Sequence, residues 1–240
     1  MNYFETDYKQ KLTDYGFIII GDVFGYHEIS EITALIDATD TGKETFRKTG
    51  DLFAIRRLLI EIPQLKELIF NKQLLEIIKA NFGEDYFLVK SIYFDKPQKS
   101  NWFVSYHQDL TISVDKKINI AGFGPYTLKH DQFAVQPTLP ILEDNFTIRI
   151  HLDHTDEGNG ALKVIPKSHT KGIYRPENIN WNSETEHCCN VSSGGIMIMK
   201  PLLLHSSGRT INNQQRRVIH LEFSRLQLPA DLNWSEWLEI

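Results

Sequence analysis

Cysteine is almost missing from this 240-residue chain. Its two cysteines, Cys188 and Cys189, are neighbours, and adjacent cysteines do not readily reach disulfide geometry, so no disulfide framework is expected. Without further His or Cys at ligand spacing they do not complete a soft-metal site either, and they are read as loop or core residues. Long apolar runs are missing too. The longest near the start, Phe17-Ile18-Ile19-Ile20, falls far short of the roughly 20 residues that span a bilayer. Met1 to Asp7 lacks the basic and apolar regions of a secretory signal, so the expectation is a cytoplasmic protein with no membrane partner. Nor is there an excess of positive charge. With 26 Lys and Arg against 31 Asp and Glu, the net charge is −5, the basic residues are scattered, and nucleic acid is not expected as a partner. No repeat, low-complexity tract or linker divides the chain. A composition with 41% hydrophobic and 11% aromatic side chains suits one substantial core, and residues 1–240 are read as a single domain.

The pattern along the chain changes character once. Tyr8 to Tyr15 is polar and helical, and Gly16 precedes the short buried strand Phe17 to Ile20. Tyr26 to Ala38 and Ile62 to Phe82 place Ile and Leu at helical spacing, the second with Pro63 near its start and Gly83 as its C-cap. Beyond Gly83 come short runs rich in β-branched and aromatic residues: Tyr86 to Phe94, Phe146 to Leu152, Ala161 to Ile165, Gly195 to Met199 and Arg217 to Phe223. The long polar connections between them, including Gly122 to Pro140 and Pro166 to Ser193, argue against a doubly wound parallel sheet. The expected fold class is α+β, with a two-sheet jelly-roll core buttressed by amino-terminal helices.

Histidine is the residue in surplus, with nine copies. In the segment Tyr106-His107-Gln108-Asp109, an extended backbone points residues two apart to the same side, so His107 and Asp109 can present an imidazole nitrogen and a carboxylate to one point. His205, after the apolar run Met199 to Leu204 that reads as a buried strand, can supply a third ligand. Two His and one carboxylate on one face of a metal leave the opposite positions open, the arrangement of non-haem Fe(II) oxygenases. By itself His-x-Asp is as readily a surface histidine beside a solvated carboxylate. Arg216, entering the strand Arg217 to Phe223, strengthens the metal reading. A buried guanidinium needs an anion, which a diacid such as 2-oxoglutarate would supply, although an ion pair with Asp or Glu would also serve.

Several segments in register resemble the phytanoyl-CoA dioxygenase family. They are Tyr15-Gly16-Phe17, Phe94-Asp95-Lys96-Pro97, Asn101-Trp102 with Tyr106 to Asp109, Leu152-Asp153 through Gly158-Asn159-Gly160-Ala161-Leu162 to Pro166-Lys167-Ser168-His169, and His205-Ser206-Ser207-Gly208. The resemblance covers most of the chain from Tyr15 onward. It implies a double-stranded β-helix that holds Fe(II) and uses 2-oxoglutarate and O2 as cosubstrates, with succinate and CO2 as coproducts. The family's iron ligands fall on His107, Asp109 and His205, and its 2-oxoglutarate arginine falls on Arg216. Ser207 corresponds to a hydroxyl contact to the same carboxylate, and Gln108 is a weaker cosubstrate candidate. Halogenating relatives replace the ligand carboxylate with a small residue, so Asp109 argues for hydroxylation of a small-molecule substrate at an unactivated C–H bond.

Three alternatives stand beside that reading. His151-Leu152-Asp153 is a second His-x-Asp whose separation from His205 is closer to that of many other 2-oxoglutarate oxygenases. It lies in a core strand leading to the Asn159-Gly160 turn, which carries no ligand in the family, and the first pair is preferred. Arg217 competes with Arg216, since adjacent strand residues face opposite ways and one alone can enter the pocket. A catalytically inactive cupin-like metal- or ligand-binding protein is the rival from another functional class. The remaining histidines, including His169 and His220, are read as structural. Asp115 to Pro140 and Lys171 to Ser193 are expected to fold over the pocket as substrate lids. Trp102, Phe103, Phe123, Tyr126 and Trp181 are candidate lining, and Lys116, Lys117 and Lys129 a candidate basic patch.

Overall fold

A computed structural model of the chain describes residues 7–39, 46–48, 53–98, 100, 102–129 and 132–240. Asn101, His130 and the Lys129 side chain lie outside the described residues. The fold is a double-stranded β-helix. Its major sheet is antiparallel, in the order β1 (Phe17–Ile20), β12 (Ile196–Met199), β9 (Phe146–His151), β14 (Arg216–Ser224), β4 (Phe87–Lys96), β3 (Phe53–Arg56) and β2 (Phe46–Lys48), with β15 (Leu238–Glu239) also on β4. The minor sheet runs β11 (His187–Cys189), β10 (Leu162–Val164), β13 (His205–Ser207), β5 (Val104–His107). From β9 to β14 the chain crosses repeatedly between the two sheets, which makes them the walls of one barrel. A further sheet of β6 (Ile112–Val114), β8 (Gln132–Val135) and β7 (Tyr126–Lys129) packs at one end.

The period of two along β9 and β14 decides which wall is dry. Phe146, Ile148 and Ile150 join Ile219, Leu221 and Phe223 in one core cluster with the helical residues Ile32, Ile36, Leu65, Ile69, Leu74 and Ile77. Phe82 stacks on Phe146 at 3.6 Å, and Phe146 on Phe223 at 4.8 Å. The helices therefore cover the outer face of the major sheet. The intervening residues, Arg149 and His151 on β9 and Arg216, His220 and Glu222 on β14, turn inward toward the minor sheet; all five are buried and polar. Strands that bury both faces read as continuous apolar runs. These runs are interrupted by charge because one of the buried faces is a site.

Two helical and strand expectations need correction. Ile62 to Phe82 is not one helix: it divides into Leu65–Ile69 and Lys72–Phe82. Asn71 starts the second by accepting from the Leu74 N–H at 2.9 Å, a side-chain cap that competes with helix continuation. The run Met199 to Leu204 is strand only to Met199, and the following residues turn through Pro201 to present His205 as the first residue of β13. Gly83 does cap its helix, at φ +95°.

The Pro-Lys-Ser-His segment fastens the amino terminus to that turn. Ser168, fully buried, accepts from the Leu204 N–H at 2.8 Å, and His169 reaches the Thr13 carbonyl at 3.0 Å. Gly16 sits at φ +86°, and a Cβ there would stand 2.4 Å from the His169 ring. Ser168→Ala leaves a buried N–H beside His205 without an acceptor. Urea unfolding is expected to show a loss of about 1–3 kcal/mol; a loss below 0.5 kcal/mol (roughly the scatter of surface substitutions) would contradict this placement.

Candidate functional site

His107 closes β5 and His205 opens β13, and the two strands pair with these residues directly opposite each other. Their rings lie 4.3 Å apart between centroids. Asp109 falls just past the end of β5, where its N–H donates to the Pro201 carbonyl at 2.9 Å, the same turn that delivers His205. Its two carboxylate oxygens stand 3.9 Å from His107 Nε2 and 3.8 Å from His205 Nε2. One ligand atom from each residue lies within 4.8 Å of the others. Among the described residues, no other group of His, Cys, Asp and Glu converges in this way.

Both imidazoles are oriented from behind. His107 Nδ1 lies 2.9 Å from the Ser105 carbonyl and His205 Nδ1 lies 2.8 Å from the Leu203 carbonyl. A carbonyl only accepts, so each Nδ1 carries the proton and each Nε2 offers its lone pair inward. Burial lowers the His205 pKa to about 4 against the opposing pull of Asp109, which keeps the ring neutral and ready to ligate. Desolvation opposes ionisation of the Asp109 carboxyl, but its attraction to His205 first, then to His220, His107 and Lys90 as positive charge gathers there, outweighs this and holds its pKa below the usual carboxylate range.

The cavity beside these three side chains encloses about 160 Å³ and is walled by both sheets. Arg216 enters it from β14, 4% exposed, with no partner for Nε and Nη1 among the described residues. Burial, helped by Arg149, pulls its pKa down to about 9, so at neutral pH it is a guanidinium awaiting an anion. Ser207 also lines the cavity, with its hydroxyl donating to the Gly160 carbonyl at 3.0 Å. Gly160 adopts φ +83°, and a Cβ there would meet the Gly208 carbonyl at 2.6 Å and Lys96 Nζ at 2.7 Å. The Asn159-Gly160 turn thus lets Lys96, fully buried, donate to the Gly208 carbonyl next to Arg216.

The competing assignments separate cleanly. Arg217 faces away and makes a two-point ion pair with Asp153, Nε to Oδ2 at 2.9 Å and Nη2 to Oδ1 at 2.8 Å. Asp153 is thereby consumed, and His151 donates or accepts at Thr155 Oγ1, 2.8 Å away, instead of joining a ligand cluster. Gln108 does not enter the cavity. Its Nε2 donates to the Gly172 and Leu202 carbonyls at 2.9 and 2.6 Å and its Oε1 accepts from the Tyr174 N–H at 2.8 Å, so it ties three loops together behind the ligands. Among the described residues, neither expected lid segment contributes to the cavity wall. Phe123 and Tyr126 pack on the end cluster with Trp234, Trp181 is 59% exposed, and Phe103 lies under Arg209; of the aromatic candidates, Trp102 alone lines the cavity. Lys116 and Lys117 do not reach it.

Sequence reasoning passed over Arg149, Glu222 and Lys90, which line the cavity together with His220. The available signal was alternation: Arg149, His220 and Glu222 are polar residues at every second position of otherwise apolar strands. His220, expected to be structural, bonds Glu222 at 3.0 Å and Arg149 at 3.2 Å within the cavity wall.

His151 adds a pH dependence to the fold itself. Burial and the adjacent Arg149 and Arg216 hold its pKa well below 6.5. A base whose pKa is depressed on folding gives stability that is complete above about 6.5 and is lost as pH falls below it. The metal-free protein is expected to lose stability as pH falls below about 6.5, and His151→Asn to flatten that slope; an unchanged slope would refute it.

Nitrogen and oxygen donors on one side, without thiolate, fit a divalent iron centre, and the unpartnered buried guanidinium fits a diacid. Jelly roll, donor set and arginine together define the class of 2-oxoglutarate-dependent non-haem iron enzymes. Within it, the profile of the phytanoyl-CoA dioxygenase (PhyH) family matches residues 12–218, and the chain belongs to that family. No curated protein matches it. Among solved structures, the 2-oxoglutarate-dependent carbocyclase SnoK from nogalamycin biosynthesis is similar at TM-score 0.69 and 13% identity, over 92% of this chain and 84% of that one. The epimerase SnoN in complex with Fe3+, 2-oxoglutarate and nogalamycin RO gives 0.67 and 12%, over 98% and 94%. HygX of Streptomyces hygroscopicus with nickel, 2-oxoglutarate and hygromycin B gives 0.65 and 14%, over 92% and 87%.

Proposed function

We propose that this chain hydroxylates a small-molecule substrate at an unactivated C–H bond, with His107, Asp109 and His205 as the Fe(II) ligands and with Arg216 and Ser207 as contacts to the distal carboxylate of 2-oxoglutarate. The convergence of three ligand atoms beside a partnerless buried guanidinium carries the reading. Bound iron would supply the oxidative chemistry, coupling decarboxylation of 2-oxoglutarate by O2 to attack on the substrate C–H bond. The chain's own contribution is orientation. The Ser105 and Leu203 carbonyls hold the two imidazoles in the ligating tautomer. Asp109 would hold the metal with a carboxylate where a halide would otherwise have room, which favours hydroxylation over halogenation. Arg216, buried in the cavity wall, would receive the distal carboxylate of the cosubstrate with its guanidinium, away from competing water.

The carbocyclase and epimerase with this fold make product analysis part of the test. Anaerobic titration with Fe(II) and 2-oxoglutarate should produce a weak visible charge-transfer band. A substrate screen for stimulated succinate release should then give a product one oxygen heavier. No band and no succinate would favour the inactive ligand-binding alternative, while a product without added oxygen would replace hydroxylation by another outcome.

A further inference from the structure

Arg216 is one of two guanidiniums in the cavity. Arg149 projects from the middle of β9, is 7% exposed and lines the same wall. Its contact is a hydrogen bond from Nη1 to His220 Nδ1 at 3.2 Å, and its Nε is buried with no partner. Among the described residues no carboxylate lies within ion-pair distance of it. Glu222 is reached only through the imidazole: His220 Nε2–H donates to Glu222 Oε1, and that same oxygen accepts from Lys90 at 2.7 Å. Asp109 attracts Arg149 across the cavity but directs its oxygens at the two histidines.

A buried guanidinium held by a neutral ring nitrogen is costly, and evolution of so unbalanced a group is easiest to explain if an anion completes it. Charge counting points the same way. Lys90, Arg149 and Arg216 outnumber Asp109 and Glu222 on the wall. A divalent metal and a doubly charged diacid cancel each other, which leaves the excess of positive charge in place.

We propose that Arg149 is a second carboxylate-binding group of the cavity, a planar fork that receives a carboxylate close to the metal ligands. The proposal rests on the oxygenase reading above. Two sources share this chemistry: the keto-acid end of 2-oxoglutarate, and a carboxylate on the oxidised substrate. Arg149 acts by positioning, since it orients an acid and neither donates nor removes a proton.

Arg149→Gln and Arg149→Met, each loaded with redox-inert Zn(II), separate the possibilities by calorimetry. If the cosubstrate is the source, both variants bind 2-oxoglutarate and pyruvate, which lacks the distal carboxylate, at least about 10-fold more weakly than wild type. If the substrate is the source, those affinities hold, and the wild-type Zn(II)·2-oxoglutarate protein binds acetate in preference to acetamide while the variants lose the preference. Retention of all affinities within twofold would overturn the proposal. Melting temperature gives an independent readout. Arg149→Met removes an unbalanced buried charge, so the ligand-free melting temperature should hold or rise while the ligand-induced increment shrinks. A ligand-free drop with the increment intact would mark Arg149 as structural and overturn the proposal. Wild type that binds neither Zn(II) nor 2-oxoglutarate would overturn the oxygenase reading and this proposal together; intact binding insensitive to Arg149 would overturn the proposal alone.

Discussion

Asp109→Ala is expected to eliminate Fe(II)-dependent succinate release and to weaken metal binding by more than about 100-fold, the upper range for loss of groups that merely orient ligands. The reason lies in the geometry of the triad. Among the described residues Asp109 is the anion facing His107 and His205, at 3.9 and 3.8 Å from their Nε2 atoms, so removing it takes away the charge that balances a dication. Alanine at this position is partly exposed and leaves the backbone bond to Pro201 intact, so the fold should survive, and circular dichroism would verify it. His151→Ala is the contrasting variant: its ring bonds Thr155 and stands outside the cluster, so metal affinity should be unchanged. Calorimetric titration with Fe(II) under anaerobic conditions reads both. Loss of binding in His151→Ala with retention in Asp109→Ala would transfer the metal site to the second His-x-Asp.

Arg216→Leu should weaken 2-oxoglutarate by about 30-fold to several-thousand-fold, corresponding to the roughly 2–5 kcal/mol at stake when one partner of a buried charge pair is truncated. Two terms add. The distal carboxylate loses a charge-assisted fork, and the dry pocket then has to accommodate that carboxylate without compensation. Pyruvate, which has no distal carboxylate, should bind the variant almost as well as wild type, and this separates Arg216 from general damage to the cavity. Arg217→Leu should behave in the opposite way. It removes the guanidinium from Asp153 and leaves that carboxylate only the backbone N–H of residue 217, which lowers stability by about 1–3 kcal/mol, while the 2-oxoglutarate affinity stays within twofold. A large affinity loss in Arg217→Leu would reverse the two assignments.

The difference between these neighbouring arginines illustrates what a sequence can and cannot convey. That one of them faces inward follows from strand alternation, and so does the inward placement of Arg149, His220 and Glu222 once β9 and β14 are known to be strands. Which face is the inner one depends on the helices, because Phe146, Ile148 and Ile150 bury against them and so turn Arg149 and His151 toward the other sheet. The first segment expected as a lid forms a sheet instead, for a related reason. Asp115 to Pro140 carries enough alternating apolar residues to pair with β6 as a sheet of its own over the Trp234 cluster, and long connection length alone could not signal that. Gln108 stands between two ligands in the chain, yet the strand turns its side chain the other way, onto the Gly172 and Leu202 carbonyls.

By itself the sequence determined the chemistry available: nitrogen and oxygen ligands without thiolate, arginine in a core strand, a fold class of short strands behind amphipathic helices, and the family whose motifs these are. These are matters of residue type, order and period, all local in the chain. Only the tertiary structure decided which His-x-Asp meets His205, because that meeting depends on β5 pairing with β13 across nearly a hundred residues. It also decided that Asp153 is spent on Arg217 and that Arg149 has no carboxylate beside it among the described residues, since a charge is paired or unpaired only by what the folded chain brings within a few ångströms of it.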